Sequence, residues 1–179
     1  MTKPRPTAKA TRDHRPQPSR ENRMTERTTQ HPGRWLLAAT LAIGSLDLAF
    51  AWSFWLQRVP DLTIGRVLQS IAAGWFGKHS RDMGTTSMVV GAASHYSIIA
   101  MFVLGWFLGM QRSASLRRRP LACGLASGLL LYAFMNFIVL PLSAAGMPTF
   151  DDLPWVGSSI GMHMLFGAMA AWFARKALR

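Results

Sequence analysis

The chain has one cysteine, Cys123, and eight acidic residues against twenty Lys and Arg among 179 residues. A lone cysteine excludes an intrachain disulfide and any thiolate metal cluster, and packing filler at the start of a span is its expected role. Two His spaced as HxxxH are absent, so no helical metal-ligand pair is encoded. A nucleophile poised beside a base is missing as well: Ser94 adjoins His95, but neighbours on a helix point about 100° apart. Ser45, Ser97, Ser127 and Ser159 read as helix-packing hydroxyls, and the chain is read as not an enzyme. A cleaved secretory signal is also absent, because the first apolar run is too long and follows a basic lead.

Half of the residues are apolar, and they gather into four runs with little amphipathicity, at about 35–56, 86–110, 121–142 and 155–173. A helix apolar all round belongs in lipid or in a large core, and four in so short a chain leave no soluble core to build. About 20 apolar residues cross a hydrocarbon layer roughly 30 Å thick. The expected fold class is therefore all-α, a four-transmembrane-helix bundle over residues 34–179 in contact with the lipid bilayer. Residues 1–33, rich in Pro, Arg and Thr, hold no aliphatic residue beyond Ala and Met. They are expected to form a disordered basic tail, and Met24 is a second candidate start.

The formal net charge of +12 is unevenly placed. Nine Lys and Arg precede the first run, four more (Arg112, Arg117, Arg118, Arg119) separate the second and third, and three follow the fourth. The opposite side carries Arg58, Arg66, Lys78 and Arg81, with Asp151 and Asp152 in the last loop. The positive-inside rule puts both termini in the cytoplasm. The charge is thus topological, and no nucleic-acid partner is expected.

Between runs one and two, Ile64, Val67, Leu68, Ile71 and Trp75 recur at helical spacing, with Asp61 and Thr63 ahead of them as caps. This predicts an additional amphipathic helix, on the outer surface or re-entrant. Glycine pairs four apart, Gly105 and Gly109, Gly124 and Gly128, Gly157 and Gly161, predict close backbone packing on three spans. That packing is within the chain, or with a second copy or a membrane partner. Most of the seven tryptophans lie near span ends, as interfacial anchors do.

Each span holds one strongly polar residue: Asp47, His95, Asn136 and His163. Counted from the outer span ends at 1.5 Å per residue, they lie roughly 9–14 Å deep. An ionisable group inside a span is costly and marks a functional-site hypothesis. Asp47, His95 and His163 are expected to meet in the bundle interior, with Asn136 completing their hydrogen bonds. A proton-linked or small-solute transport component needs such groups, since His titrates near neutrality beside a carboxylate. The alternative is a scaffold or accessory subunit whose polar layer only fixes helix register. Lesser alternatives are a metal held by His95, His163 and Asp47 or a haem between the two imidazoles, although no cofactor is the primary expectation. A pathway predicts a cavity that brings water to His95 and His163, whereas a scaffold predicts a dry cluster.

The segments "GSLDLAFA" around Asp47, "RVLQSIAAGWFG" from Arg66, "GAASHY" with His95 and "RRPLACGLASGLLLYAFMNFIVLPLSA" with Asn136 and Pro141 resemble the DUF1440 or YagU-like group. The resemblance covers the four spans. It implies a small four-helix bacterial inner-membrane protein, with acid-stress roles suggested for its relatives. Its "RxLQSIA" motif adds Arg66, Gln69 and Ser70 as an outer mouth, where Arg66 either pairs with Asp47 or faces water and headgroups. Pro141 is expected to free the carbonyl of Phe137.

Overall fold

A computed structural model describes residues 31–179. Of the disordered tail expected at residues 1–33, residues 1–30 lie outside the described residues, and Pro32 and Gly33 belong to a helix. The described part is all-α. Helix α1 spans Pro32–Leu56, α2 Ile64–Phe76, α3 Thr85–Arg112, α4 Ala114–Arg118, α5 Pro120–Leu142 and α6 Leu153–Ala177. Four of them, α1, α3, α5 and α6, are long and apolar enough to cross a membrane. The chain is accordingly an integral membrane protein, with Leu37, Leu121, Leu130 and Phe137 exposed on its spans. The end that carries Leu56, Thr85, Leu142 and Leu153 is called the upper end.

Local chemistry sets the boundaries. Thr63 caps α2 by accepting from the Arg66 amide. Asp61, expected as a second cap, instead takes a turn at φ 57°, where a short polar side chain is tolerated. Helix α2 stops at Gly77, also at positive φ. Asp152 caps α6 through the Trp155 amide at 3.0 Å and pairs with Arg58 at 3.0 Å. Arg58 in turn sits 3.9 Å over the Phe54 ring, joining the upper ends of α1 and α6.

Pro141 disturbs α5 further back than its own turn. Residues Met135–Val139 form a π-helical turn, closed by the Leu140 amide on the Met135 carbonyl. Such a widened turn is rare and recurs at functional sites.

Helices α5 and α6 touch backbone to backbone. A Cβ on Gly124 would stand 2.8 Å from the Gly167 carbonyl, and one on Gly128 would overlap the His163 carbonyl. The other two glycine pairs behave differently from expectation. Gly105, Gly157 and Gly161 face open space, and Gly109 meets only the Leu116 side chain. Spacing puts two glycines on one face, but which face meets a neighbour is decided by the whole bundle. By contrast with the α5–α6 pair, α3 and α5 stand apart, linked by Trp106 Nε1 donating to Ser127 Oγ at 2.9 Å.

The core fills the lower half: Ile43, Ile99, Val103, Phe166, Ala170 and Ala174 are all buried. Aromatic clusters mark both ends. Phe50 stacks on Trp155 at 5.6 Å near the top, and Trp35 meets Trp172 edge-on at 6.3 Å near the bottom. Trp35 and Trp55 are separated along α1 by roughly 30 Å of helix rise, which matches the hydrocarbon thickness. Trp106, unlike the others, is buried inside.

The glycine contact yields a test. Gly128→Ala must push α5 from α6 and is expected to cost about 1–3 kcal/mol as overpacking. Gly161→Ala, in open space, should be neutral or slightly stabilising through helix propensity. Thermal unfolding of the two variants in detergent measures the contrast, and equal midpoints would remove the close approach as a determinant of the fold.

Candidate functional site

Asp47 sits on α1 one turn above Gly44, so both share a helix face. The absent side chain at Gly44 makes room for the Tyr96 ring, 2.5 Å from where a Cβ would be. Two bonds then tie α3 to α1: His95 Nε2 donates to the Gly44 carbonyl at 2.9 Å, and Tyr96 Oη and Ser45 Oγ lie 3.0 Å apart. Because a carbonyl only accepts, the Nε2–H of His95 is committed and Nδ1 is the nitrogen left with a free lone pair. That nitrogen lies 3.9 Å from Asp47 Oδ2, too far for a hydrogen bond but an ion pair when His95 is protonated.

On α6, His163 Nδ1 donates to the Ser159 carbonyl at 2.8 Å. Its ring stands edge-on to Tyr132 at 5.4 Å and tilted to Phe166 at 5.9 Å. Asn136, in the widened turn of α5, donates from Nδ2 to the Tyr132 carbonyl at 2.9 Å. The expected mutual hydrogen bonding of the four residues is therefore corrected. Asp47 and His95 pair, whereas His163 makes no hydrogen bond or ion pair with Asp47. Asn136 completes no bond to either. A carbonyl four residues back on the same helix is always within reach, so His163 and Asn136 satisfy a donor locally.

The four residues nevertheless border one space. A cavity of about 1890 Å³ reaches from the upper loops, at Asp61, Arg81 and Asp82, down to Asp47, His95, Asn136 and His163. It occupies the gap left where α3 and α5 diverge. Tyr132, Trp155, Phe102 and Phe134 line its walls, while Val103 and Ala170, at 0% exposure, belong to the packed core beneath.

The expected mouth residues separate. Arg66 and Ser70 line the cavity, but Arg66 makes no ion pair with Asp47 and instead donates to Gln69 Oε1 at 3.4 Å. Ser70 bonds its own helix at the Val67 carbonyl. Gln69 is no mouth residue. It is 2% exposed, and its amide reaches the Arg81 and Gly84 carbonyls and Ser87 Oγ. It braces α2 across the first turns of α3, where Trp75 Nε1 donates to Ser94 Oγ at 2.8 Å.

Tyr132 escaped sequence reasoning, and Ser159 reads there only as a helix-packing hydroxyl. Each lies four residues before a named polar residue, Asn136 and His163, and that spacing places them on the same faces. Among the described residues, no three His, Cys, Asp or Glu come together as a metal site. For haem, His95 has already committed Nε2 to a backbone carbonyl.

No family model, curated protein or solved structure matches the chain, and the chemistry of the site rests on its own residues. Those residues place a carboxylate and an imidazole 3.9 Å apart at the base of a cavity.

An accessibility experiment follows from the cavity. In a Cys123→Ser background reconstituted in nanodiscs, Ala51→Cys on the cavity wall should react with a charged methanethiosulfonate. Ala170→Cys in the core beneath should not. Equal protection of both would mean that the cavity is closed to water.

Proposed function

We propose that this protein is a proton-linked transport component for a small solute, entered from the outer side of the membrane. The observation that carries the reading is the continuous cavity joining the upper loops to Asp47, His95 and His163. An ionisable pair at the base of a polar opening is how membrane proteins hold a proton or an ion part-way across. The distribution of Lys and Arg supports the orientation, since among the described residues eight lie at the lower end and four at the upper, and eight more precede the first span in the sequence. Both termini are then cytoplasmic, and a bacterial inner membrane is the expected location. Membership of the DUF1440 or YagU-like group belongs to the same reading on motifs alone.

Below Asp47 the core is packed, and in this reading the cavity is the outward-facing half of an alternating pathway. A second copy or a membrane partner would complete the pathway, and Gly157 and Gly161 leave α6 a small-residue face on which to pack. Catalysis is not part of the reading, because Ser94, the hydroxyl nearest His95 in sequence, accepts the Trp75 indole N–H.

One observation favours the scaffold alternative: no buried side-chain nitrogen or oxygen among the described residues lacks a partner. Proton flux separates the two. In proteoliposomes under an imposed pH gradient, the wild type should carry protons above the protein-free rate, and Asp47→Asn should fall to that rate. Identical background flux in both would leave the scaffold.

A further inference from the structure

The base of the cavity has a chemical sign. Asp47 is the only Asp or Glu in the four spanning helices, and among the described residues no Lys or Arg stands within ion-pair distance of it. The neighbouring polar groups have spent hydrogens on backbone carbonyls: His95 Nε2–H on Gly44, His163 Nδ1–H on Ser159, and one amide hydrogen of Asn136 on Tyr132. Left over are four acceptor groups, His95 Nδ1, His163 Nε2, Asn136 Oδ1 and the Asp47 carboxylate, against the second amide hydrogen of Asn136 as a donor. A neutral imidazole nitrogen or a carboxylate welcomes an N–H donor and offers nothing to an anion.

The walls add to this preference. Tyr132, Trp155, Phe102 and Phe134 line the cavity, and aromatic faces attract cations by their quadrupoles. Apolar residues on the diverging faces of α3 and α5, Ile98, Met101, Leu131 and Ile138, give room for a hydrophobic body beside the charge. A volume of about 1890 Å³ is far more than an inorganic ion fills. At the mouth, Arg66 and Arg81 are balanced by Asp61 and Asp82, so the mouth sets no sign and Asp47 does.

We propose that the cavity binds a hydrophobic ammonium: a protonated amine on Asp47, with its apolar body between α3 and α5 against the aromatic wall. This deepens the transport reading and rests on it only for a cavity open at its upper end. An ammonium and a proton would draw on the same carboxylate, which gives the transport component a natural exchange of one for the other.

Three matched probes test the class by equilibrium binding to the full chain in detergent: 4-phenylbutylammonium, the neutral 4-phenylbutanol and the anionic 4-phenylbutyrate. The wild type should bind the ammonium roughly tenfold or more tightly than either isostere, a difference of about 1.4 kcal/mol. Asp47→Asn should erase that preference while leaving the alcohol unchanged, which also reports an intact cavity. Asp47→Glu should retain it. Alcohol or butyrate binding as tightly as the ammonium in the wild type would overturn the proposal, as would a preference that survives in Asp47→Asn. The wild-type comparison decides the matter even if the Asn variant fails to fold. Binding is read without a gradient, so Asp47-dependent binding without proton flux overturns transport alone, and flux without ammonium preference overturns this inference alone.

Discussion

The contact on which the rest of the bundle depends is the approach of α5 to α6 through Gly124, Gly128 and Gly167, where carbonyls of one helix occupy the space of absent side chains on the other. In lipid, the hydrophobic effect does not drive helices together, and close van der Waals packing must do so. With α5 drawn to α6, its other side is left away from α3, and the Trp106–Ser127 bond is their link. The divergence of those two helices is the cavity. Filling the glycine notch would therefore alter the site as well as the stability.

The same economy governs the polar layer. Hydrocarbon offers no water, so each donor in a span needs an acceptor inside the protein. His163 and Asn136 use carbonyls one turn back on their own helices, whereas His95 reaches across to α1 at Gly44. One tie crosses helices and two do not. The result is a layer whose hydrogens point into backbone and whose lone pairs remain. That arrangement links the cost of polar groups in a membrane to the acceptor-rich base of the cavity.

Much of the fold was legible. The four spans follow from runs such as Trp35 to Leu56 because apolar length alone decides what can cross a bilayer; the helices extend those runs by up to four residues at an end, to Ala177 in α6. Helix α2 followed from the spacing of Ile64, Val67, Leu68 and Ile71, and its cap from Thr63. Gln69 was misplaced because a polar residue beside Arg66 and Ser70 looks exposed until Arg81, Gly84 and Ser87, around the start of α3, supply three acceptors for its amide. The π-helical turn was foreshadowed by Pro141 only as a freed carbonyl, since the response of the preceding ladder depends on what packs beside it.

By itself the sequence determined the helices, their apolar character, the charge asymmetry between the two ends, and the one polar residue that each span must house. These depend on transfer from water to lipid and on periodicity, both of which are additive along a chain. Only the tertiary structure decided which glycine pair would close, that Asp47 would face His95 while Asn136 and His163 turned to their own backbones, and that all four would border one cavity. Those outcomes depend on helix rotation and separation, set by contacts between residues far apart in the chain, such as Gly44 with Tyr96 and Gly128 with His163.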